Sequence, residues 1–381
     1  MVIATDQQLR RQWQDEIQPR TTVAAADAGR AIARVHSTIH SATAIRTSRL
    51  FSVDRVVPCG SSGRGTDIPD SDIDLVVYVN PSSALLPPSD NLRLLQELSV
   101  AFQQQAGYQL QRAPRDRDHA LFLRVDNTPV DVVLARNCKP EGTGTAEAQA
   151  LGAMEMLLEN VSRIDMYHYS TAFSETANSF VRSLPAWVNE LVRIAKYRVF
   201  NSTAAVTMTT GETLLMSSKR DRATNGLTSY SVEVLAIWAA IKVAPHAARS
   251  TSSGSGSVIA ALLYMYLSAS RAASLQAVFE TRDWPQVWQD LFARNGAFRA
   301  LAQQTRAQRP CVEDPANPLN NLCAGPNGPR VTVAGWELLR RGMSAAAQWS
   351  DAHPSRSDAA ALLPVDVAEA KLRELGVNFS S

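Results

Sequence analysis

The sequence predicts an α+β protein of two lobes, a mixed β-sheet lobe followed by a helical one. Three observations carry this expectation. The chain has 381 residues, which at roughly 100–200 residues per domain calls for two lobes or one domain with insertions. Short apolar runs bounded by turn formers crowd the region before Arg136. Beyond Met154 the apolar residues recur instead at helical spacing. Hydrophobic residues make up 45% and charged residues 19%, enough apolar material for a sizeable core, and wholesale disorder is excluded.

From Gln8 to His40 a helix is predicted, because Trp13, Ile17, Ala24, Ala28, Ile32, Val35 and Ile39 fall on one face. Arg55–Cys59 runs into GSSGRGTDIPDSD, which reads as a loop of turn formers. Ile73–Val79 is a buried-strand pattern that Asn80-Pro81-Ser82-Ser83 ends. A helix from Ser89 to Gln105 follows, then two strands, Ala120–Val125 and Pro129–Ala135, joined by a turn at Asp126-Asn127-Thr128. Ala186–Phe200, Ser231–Val243 and Val258–Leu267 are the clearest later helices. Thr207–Gly226 and Ser250–Ser257, rich in Ser, Thr and Gly, read as loops, and Val365–Leu375 as a helix in a polar tail. The expected division is residues 1–160, 161–349 and a tail at 350–381, with a ligand cleft between the first two.

Charge and cysteine usage narrow the function classes. Lys+Arg 38 against Asp+Glu 36 gives +2, which does not mark a general polyanion binder. The N-terminus lacks an apolar h-region, and the longest apolar run, Val258–Leu267, is too short for a bilayer span of about 20 residues. Cys59, Cys138, Cys311 and Cys323 are scattered, with no C-x-x-C pair, so neither a structural zinc site nor a disulfide framework is implied. A cytoplasmic protein without membrane contact is expected.

One stretch carries chemistry. On a strand, residues i and i+2 share a face, so Asp72 and Asp74 would sit side by side at the mouth of an apolar sheet. Like charges so placed are costly unless a cation neutralises them, and oxygen donors at this spacing suit Mg²⁺. Two such ions stabilise the attacking and leaving oxygens of an in-line displacement. Asp131 is the lone charge of an apolar strand and completes a three-carboxylate set if that strand lies beside the first. Gly60, Gly63 and Gly65 let the backbone approach a ligand closely, and Ser61 and Ser62 add hydroxyls, so the turn suits a phosphate. It is not a Walker A loop, because Thr66 stands where that loop needs Lys.

These residues resemble the nucleotidyltransferases with a DNA-polymerase-β-like core, and among them the 2′-5′-oligoadenylate synthetase family. Five segments carry the resemblance: Val56–Val77, Val130–Ala135, Tyr169–Glu175, Leu191–Lys196 followed by Tyr230–Leu235, and Arg309–Pro318. The resemblance implies a bilobal nucleotidyltransferase in which Asp72, Asp74 and Asp131 hold two Mg²⁺, Asp131 also helping to activate a ribose hydroxyl. It implies that Gly60 and Ser61 hold the donor triphosphate, that Arg193 and Lys196 contact its phosphates, and that Tyr230 stacks on its base. Arg193 and Lys196, three apart, share a helix face. The implied activity is polymerisation of ATP into 2′-5′-linked oligoadenylate, a second messenger of innate immune or stress signalling, with release of pyrophosphate. Two departures stand out. Ser229 occupies the position where this family commonly carries a Gln that reads adenine. The stretch Asn178–Asn189 holds one basic residue, Arg182, so the face that would bind double-stranded RNA as activator is depleted. A cyclic-dinucleotide synthase, terminal nucleotide addition to RNA and a catalytically silent RNA-binding sensor are the alternatives. The third would be expected to have lost a carboxylate.

Overall fold

The computed structural model describes residues 2–69, 71–81, 88–115, 120–139, 146–159, 171–247, 257–325, 328–349, 362–377 and 379. The chain divides into two compact units. One, the sheet unit, comprises Thr21–Ser183 and Pro285–Asp290. The other, the helical unit, comprises Met1–Arg20, Leu184–Trp284 and Leu291–Ser381.

In chain order, the first elements are β1 (Val2–Ile3), α1 (Asp6–Gln12), a π-helical turn (Trp13–Ile17), α2 (Gln18–Ser41) and α3 (Thr43–Arg46). The single helix expected over Gln8–His40 is therefore interrupted. Thr5 starts it with a capping box, its side chain accepting from the Gln8 amide at 3.2 Å. Then follow β2 (Phe51–Cys59), α4 (Gly60–Arg64), β3 (Ile73–Pro81), α5 (Pro88–Gln103), β4 (Tyr108–Leu110), β5 (Ala120–Val125), β6 (Thr128–Arg136), α6 (Ala146–Glu159) and α7 (Ser174–Ser183). The GSSGR stretch, expected as loop, is the short helix α4.

The sheet has the order β2-β3-β6-β5-β4, with β3 and β6 parallel and the other pairs antiparallel. Asp126 and Asn127 link β5 to β6 with φ of 48° and 72°, the two left-handed residues of a tight hairpin. One sheet face is apolar throughout. Ile73, Leu75, Val77 and Val79 of β3 and Val130, Val132 and Leu134 of β6 share a core with Val35 and Ile39 of α2 and with Leu94, Leu98 and Phe102 of α5. The alternating residues face the other way, where Cys59, Val76, Tyr78 and Ala135 form a smaller cluster.

The helical unit continues with α8 (Ala186–Phe200), β7 (Ala205–Thr207), β8 (Thr213–Leu215), α9 (Lys219–Thr224), α10 (Ser229–Ala247) and α11 (Val258–Ser270). After β9 (Gln276–Ala277) come α12 (Gln286–Arg294), whose residues up to Asp290 belong to the sheet unit, α13 (Gly296–Ala307), β10 (Cys311–Asp314), β11 (Asn317–Asn321), β12 (Ala324–Gly325), β13 (Gly328–Pro329), α14 (Val333–Ala347), β14 (Gln348–Trp349) and α15 (Val365–Glu374). Small sheets thus punctuate a lobe whose pattern reads as all helical. The segment Thr207–Gly226, expected as loop, holds β8 and α9; residues 250–256 lie outside the described residues. Helices α8, α10, α11 and α14 pack against one another. Every residue of α11 from Val258 to Ala269 is buried, which is why its apolar run has no polar face. No helix among the described residues is long and apolar enough to cross a membrane.

A buried guanidinium ties the ends of this unit together. Arg198 of α8 is 2% exposed and donates to the Ala346 carbonyl at 2.8 Å, the Gln12 Oε1 at 2.6 Å and the Gln348 carbonyl. It also lies over the Trp349 ring, 5.4 Å from the centroid. Burial pulls its pKa down to about 10, against the counter-pull of Glu16 and Tyr197. Arg198→Met removes every one of these donors and leaves two carbonyls and an amide to satisfy. At about 1–3 kcal/mol for a stranded buried group, the expected outcome is a fall of roughly 5 °C or more in the melting midpoint, measured by circular dichroism.

Candidate active site

The Gly-Ser turn begins where β2 stops. Cys59 is extended, Gly60 turns with φ of 58°, and α4 runs to Arg64 before Gly65 closes it in the left-handed region at φ of 74°. The three glycines do different things. A Cβ on Gly60 would lie 1.8 Å from the Asp74 Oδ2, so only a residue without a side chain can pass that carboxylate. A Cβ on Gly63 would lie 2.5 Å from the Pro58 carbonyl oxygen and 2.9 Å from the Asn178 Oδ1, so this glycine lets the helix sit on its own protein. At Gly65 a Cβ would meet open space, and the need is conformational alone. The turn is closed by the Thr66 amide, which donates to the Ser61 carbonyl at 2.8 Å, and by the Ser62 hydroxyl, which donates to the Cys59 carbonyl at 3.3 Å.

The carboxylates follow from sheet register. Asp74 of β3 and Asp131 of β6 are direct partners across the parallel pair. Alternation places both on the face opposite the large core, with Val76 and Tyr78 beyond the one and Val133 and Ala135 beyond the other. Cys59 is the partner of Asp74 on its second side, and Phe122 the partner of Asp131. Both carboxylates are half-buried, as is Asp72, which precedes β3 and so has no register partner. The structure therefore pairs Asp74 with Asp131 and leaves Asp72 outside that ladder. Among the described residues, no group of three or more His, Cys, Asp or Glu side chains is arranged to hold a metal ion. The donor chemistry nonetheless fits a hard divalent cation, since two carboxylates held side by side are hard oxygen donors whose repulsion a cation relieves. Cys59 is no competing soft ligand. Burial, and then the charge of Asp74, push its thiol well above the usual range, so it stays protonated at neutral pH.

An ion-paired network centred on Arg55, midway along β2, supports this face. Arg55 lies over the Tyr78 ring, 3.8 Å from the centroid, and makes a two-pronged contact with Glu175 at 3.2 and 2.5 Å. Asn178, one turn on in α7, donates to the Pro58 carbonyl at 2.8 Å. Thr171, just before α7, donates its hydroxyl to the Leu134 carbonyl at 3.0 Å. Tyr169 and Ser170, which open the third resembling segment, lie outside the described residues.

The remaining candidates belong to the helical unit. Arg193 is half-buried, its guanidinium 5.3 Å from the centroid of the Trp13 ring. Lys196, on the same face of α8, is 0% exposed and lies 3.7 Å from Glu233, which is equally buried. An ordinary solvated cationic face is thereby excluded for Lys196. Tyr230 donates its hydroxyl to the Asp314 Oδ1 at 2.7 Å. Glu233 and Asp314 lie within the resembling segments, but sequence reasoning assigns neither a role. The signal for Glu233 is the one that singles out Asp131, a lone charge among Val232, Val234 and Leu235.

The fifth segment owes its composition to polar anchoring. Glu313, fully buried, accepts from the Phe279 amide at 2.8 Å, the Trp284 indole at 3.4 Å and Arg306 at 2.7 Å. Burial pushes its carboxyl up, and Arg306 works against that rise. The Asn321 Oδ1 accepts from the Val312 amide at 3.1 Å and the Cys323 amide at 2.9 Å.

Residues 44–134 match the family model of the nucleotidyltransferase domain, a span that holds β2 through β5 and most of β6. A comparison with curated proteins found no match. Among solved structures, the chain resembles the CdnC:HORMA-deltaN complex of E. coli MS115-1 at 17% identity, over 90% of each chain, with a TM-score of 0.52. A cytoplasmic RNA terminal U-transferase aligns at 13% identity over 84% of this chain and 86% of that one, with a TM-score of 0.43. Cid1 in complex with its short product ApU aligns at 13% identity over 90% and 93%, with a TM-score of 0.41. The first likeness concerns the fold. The chain carries a nucleotidyltransferase domain on a mixed α+β, bilobal architecture.

The glycine geometry makes a paired prediction. An alanine at either left-handed position costs roughly 1–2 kcal/mol of backbone strain. Gly65→Ala is expected to cost that alone. Gly60→Ala must in addition displace the Asp74 carboxylate and is expected to melt lower than Gly65→Ala. Thermal midpoints measured side by side check this, and equal midpoints would contradict the close approach of Gly60 to Asp74.

Proposed function

We propose that this chain joins nucleoside triphosphates to one another without a template, using ATP as donor and a nucleotide 2′-hydroxyl as acceptor. The product would be short 2′-5′-linked oligoadenylate, and the by-product pyrophosphate. The observation that carries this reading is the register pairing of Asp74 with Asp131 beside the Gly60 backbone, inside a nucleotidyltransferase domain. Asp72, Asp74 and Asp131 would hold two Mg²⁺, which when bound supply charge neutralisation for the triphosphate and the departing pyrophosphate.

The protein's own contribution is positioning and proton transfer. The Gly60-Ser61 turn would cradle the triphosphate with backbone N–H groups and a hydroxyl. Asp131 would accept the proton of the attacking ribose hydroxyl as its oxygen bonds to the α-phosphorus and the bond to the pyrophosphate oxygen breaks. Arg193 is assigned to donor phosphates and Tyr230 to the donor base; Lys196, fully buried against Glu233, would reach a phosphate only on opening of that pair. A cyclic dinucleotide is the second reading, and Ser229, in place of an adenine-reading Gln, favours it.

The test is incubation of the purified chain with Mg²⁺ and all four NTPs, with and without a double-stranded RNA. Products are identified by mass spectrometry and linkage-specific nuclease digestion. Linear oligomers resistant to a 3′-5′-specific nuclease support the first reading, and their yield without duplex decides whether RNA is needed. Cyclic products support the second, and long homopolymer tails on RNA contradict both. Asp72→Asn, Asp74→Asn and Asp131→Asn should each reduce turnover at least about 100-fold with an unchanged circular dichroism spectrum. A retained rate in any of them removes that residue from the assigned role. Chelation by EDTA should abolish turnover in the unaltered protein.

A further inference from the structure

Asp314 closes β10 inside the Arg309–Pro318 segment and is 7% exposed. Its Oδ1 accepts from the Tyr230 hydroxyl at 2.7 Å and from the Ala316 backbone amide at 2.9 Å, and its Oδ2 accepts from the Asn320 side-chain Nδ2 at 3.2 Å. Its own turn therefore grips the carboxylate on both oxygens, and Tyr230 docks onto an acceptor that is already fixed. The β10–β11 register shifts between Asp314 and the residue before it, and the two carboxylates have separate partners. Glu313 is anchored by Phe279, Trp284 and Arg306. The segment is thus pinned in the interior at one residue and presents a rigid anion at the next.

We propose that Asp314 is a positioning residue, which sets the tilt of the Tyr230 ring so that the ring serves as a platform for the base of the donor nucleotide. The proposal rests on the assignment of Tyr230 to that base. A tyrosine ring has two torsions, and a charge-assisted hydrogen bond at the far end of the ring restrains both. Stacking on a base requires one orientation of the ring. A ring held in that orientation loses less freedom when the nucleotide arrives, and the difference appears as affinity. The Arg309–Pro318 segment is then the mount of the platform.

The experiment separates base from phosphate recognition. Binding of α,β-methylene-ATP and of inorganic tripolyphosphate, both with Mg²⁺, is measured by isothermal titration calorimetry. The proteins are the unaltered chain, Tyr230→Ala, Tyr230→Phe, Asp314→Ala and the Tyr230→Phe/Asp314→Ala double variant. Tyr230→Phe and Asp314→Ala are each expected to weaken the ATP analogue about 3- to 10-fold and to leave tripolyphosphate unchanged. The double variant is expected to be no weaker than the worse single one, because both remove the same contact. Tyr230→Phe keeps Asp314 and its turn, so the test survives if Asp314→Ala disturbs folding. If Tyr230→Ala weakens the analogue while Tyr230→Phe and Asp314→Ala do not, the positioning role is overturned and the platform stands. An equal loss for tripolyphosphate in Tyr230→Phe overturns it as well. If Tyr230→Ala binds the analogue normally, the assignment of Tyr230 itself fails. Absence of binding by the unaltered chain defeats the nucleotide reading and the proposal together.

Discussion

Two carboxylates held abreast by a parallel ladder are the constraint around which the sheet unit is arranged. Asp74 and Asp131 are register partners, so neither can move away from the other without breaking backbone hydrogen bonds. Their position is decided on the opposite face. Leu75, Val77, Val130 and Val132 are fully buried beneath α2 and α5, and a slip of one residue in either strand would turn them to the other side. The apolar face thus carries the register, and the register fixes where the charges stand. Gly60 follows as a consequence, because the chain leaving β2 must pass Asp74 at a distance that no Cβ tolerates.

The turn that passes Asp74 is held from behind. Arg55 on β2 pairs with Glu175 at the start of α7, and Asn178 of the same helix donates to the Pro58 carbonyl, two residues before Gly60. Gly63 then sits under that same carbonyl. An exposed ion pair would contribute little to stability. Arg55 and Glu175 are largely shielded, share two contacts and are joined by the Tyr78 ring, which makes this pair a means of fixing α7 in one place. Precision at Gly60 is therefore inherited from Arg55 and Pro58 further back along β2 and from their partners in α7.

Much of this was legible in the residues. Strand alternation located Ala120–Val125 to the residue and Pro129–Ala135 to within one residue at each end, since each strand buries one face and ends at turn formers. Asp131 stood out because a lone charge in an apolar strand demands a reason. Three features escaped. The stretch GSSGR has the composition of a loop and forms a helix because tertiary contacts at Pro58 and Asn178 override its propensity. The π turn at Trp13–Ile17 escaped because Trp13 and Ile17 keep ordinary helical spacing, so periodicity carries no sign of it. Asp314 escaped because its partner, Tyr230, comes from another element, and pairing between elements leaves no local pattern, whereas Glu233 carries the same lone-charge signal as Asp131 and went unassigned.

The buried charges of the helical unit call for a reason beyond stability. A core that already buries Val258 through Ala269 without interruption has no shortage of apolar contact. Lys196 and Glu233 are both 0% exposed, and Arg306 and Glu313 form a second pair whose carboxylate is equally buried. Desolvating such pairs costs several kcal/mol per ion, and apolar residues of similar volume would commonly serve the fold as well or better. What apolar residues cannot do is fix direction. Glu313 aims the segment that carries Asp314, and Glu233 sets the position of a lysine that a solvated face would leave free to sample many rotamers. The two pairs lie on or beside the elements that carry Lys196 and Tyr230. In these two pairs charge is buried where orientation is required, Arg198 ties the ends of the unit together, and in the α11 core apolar packing suffices.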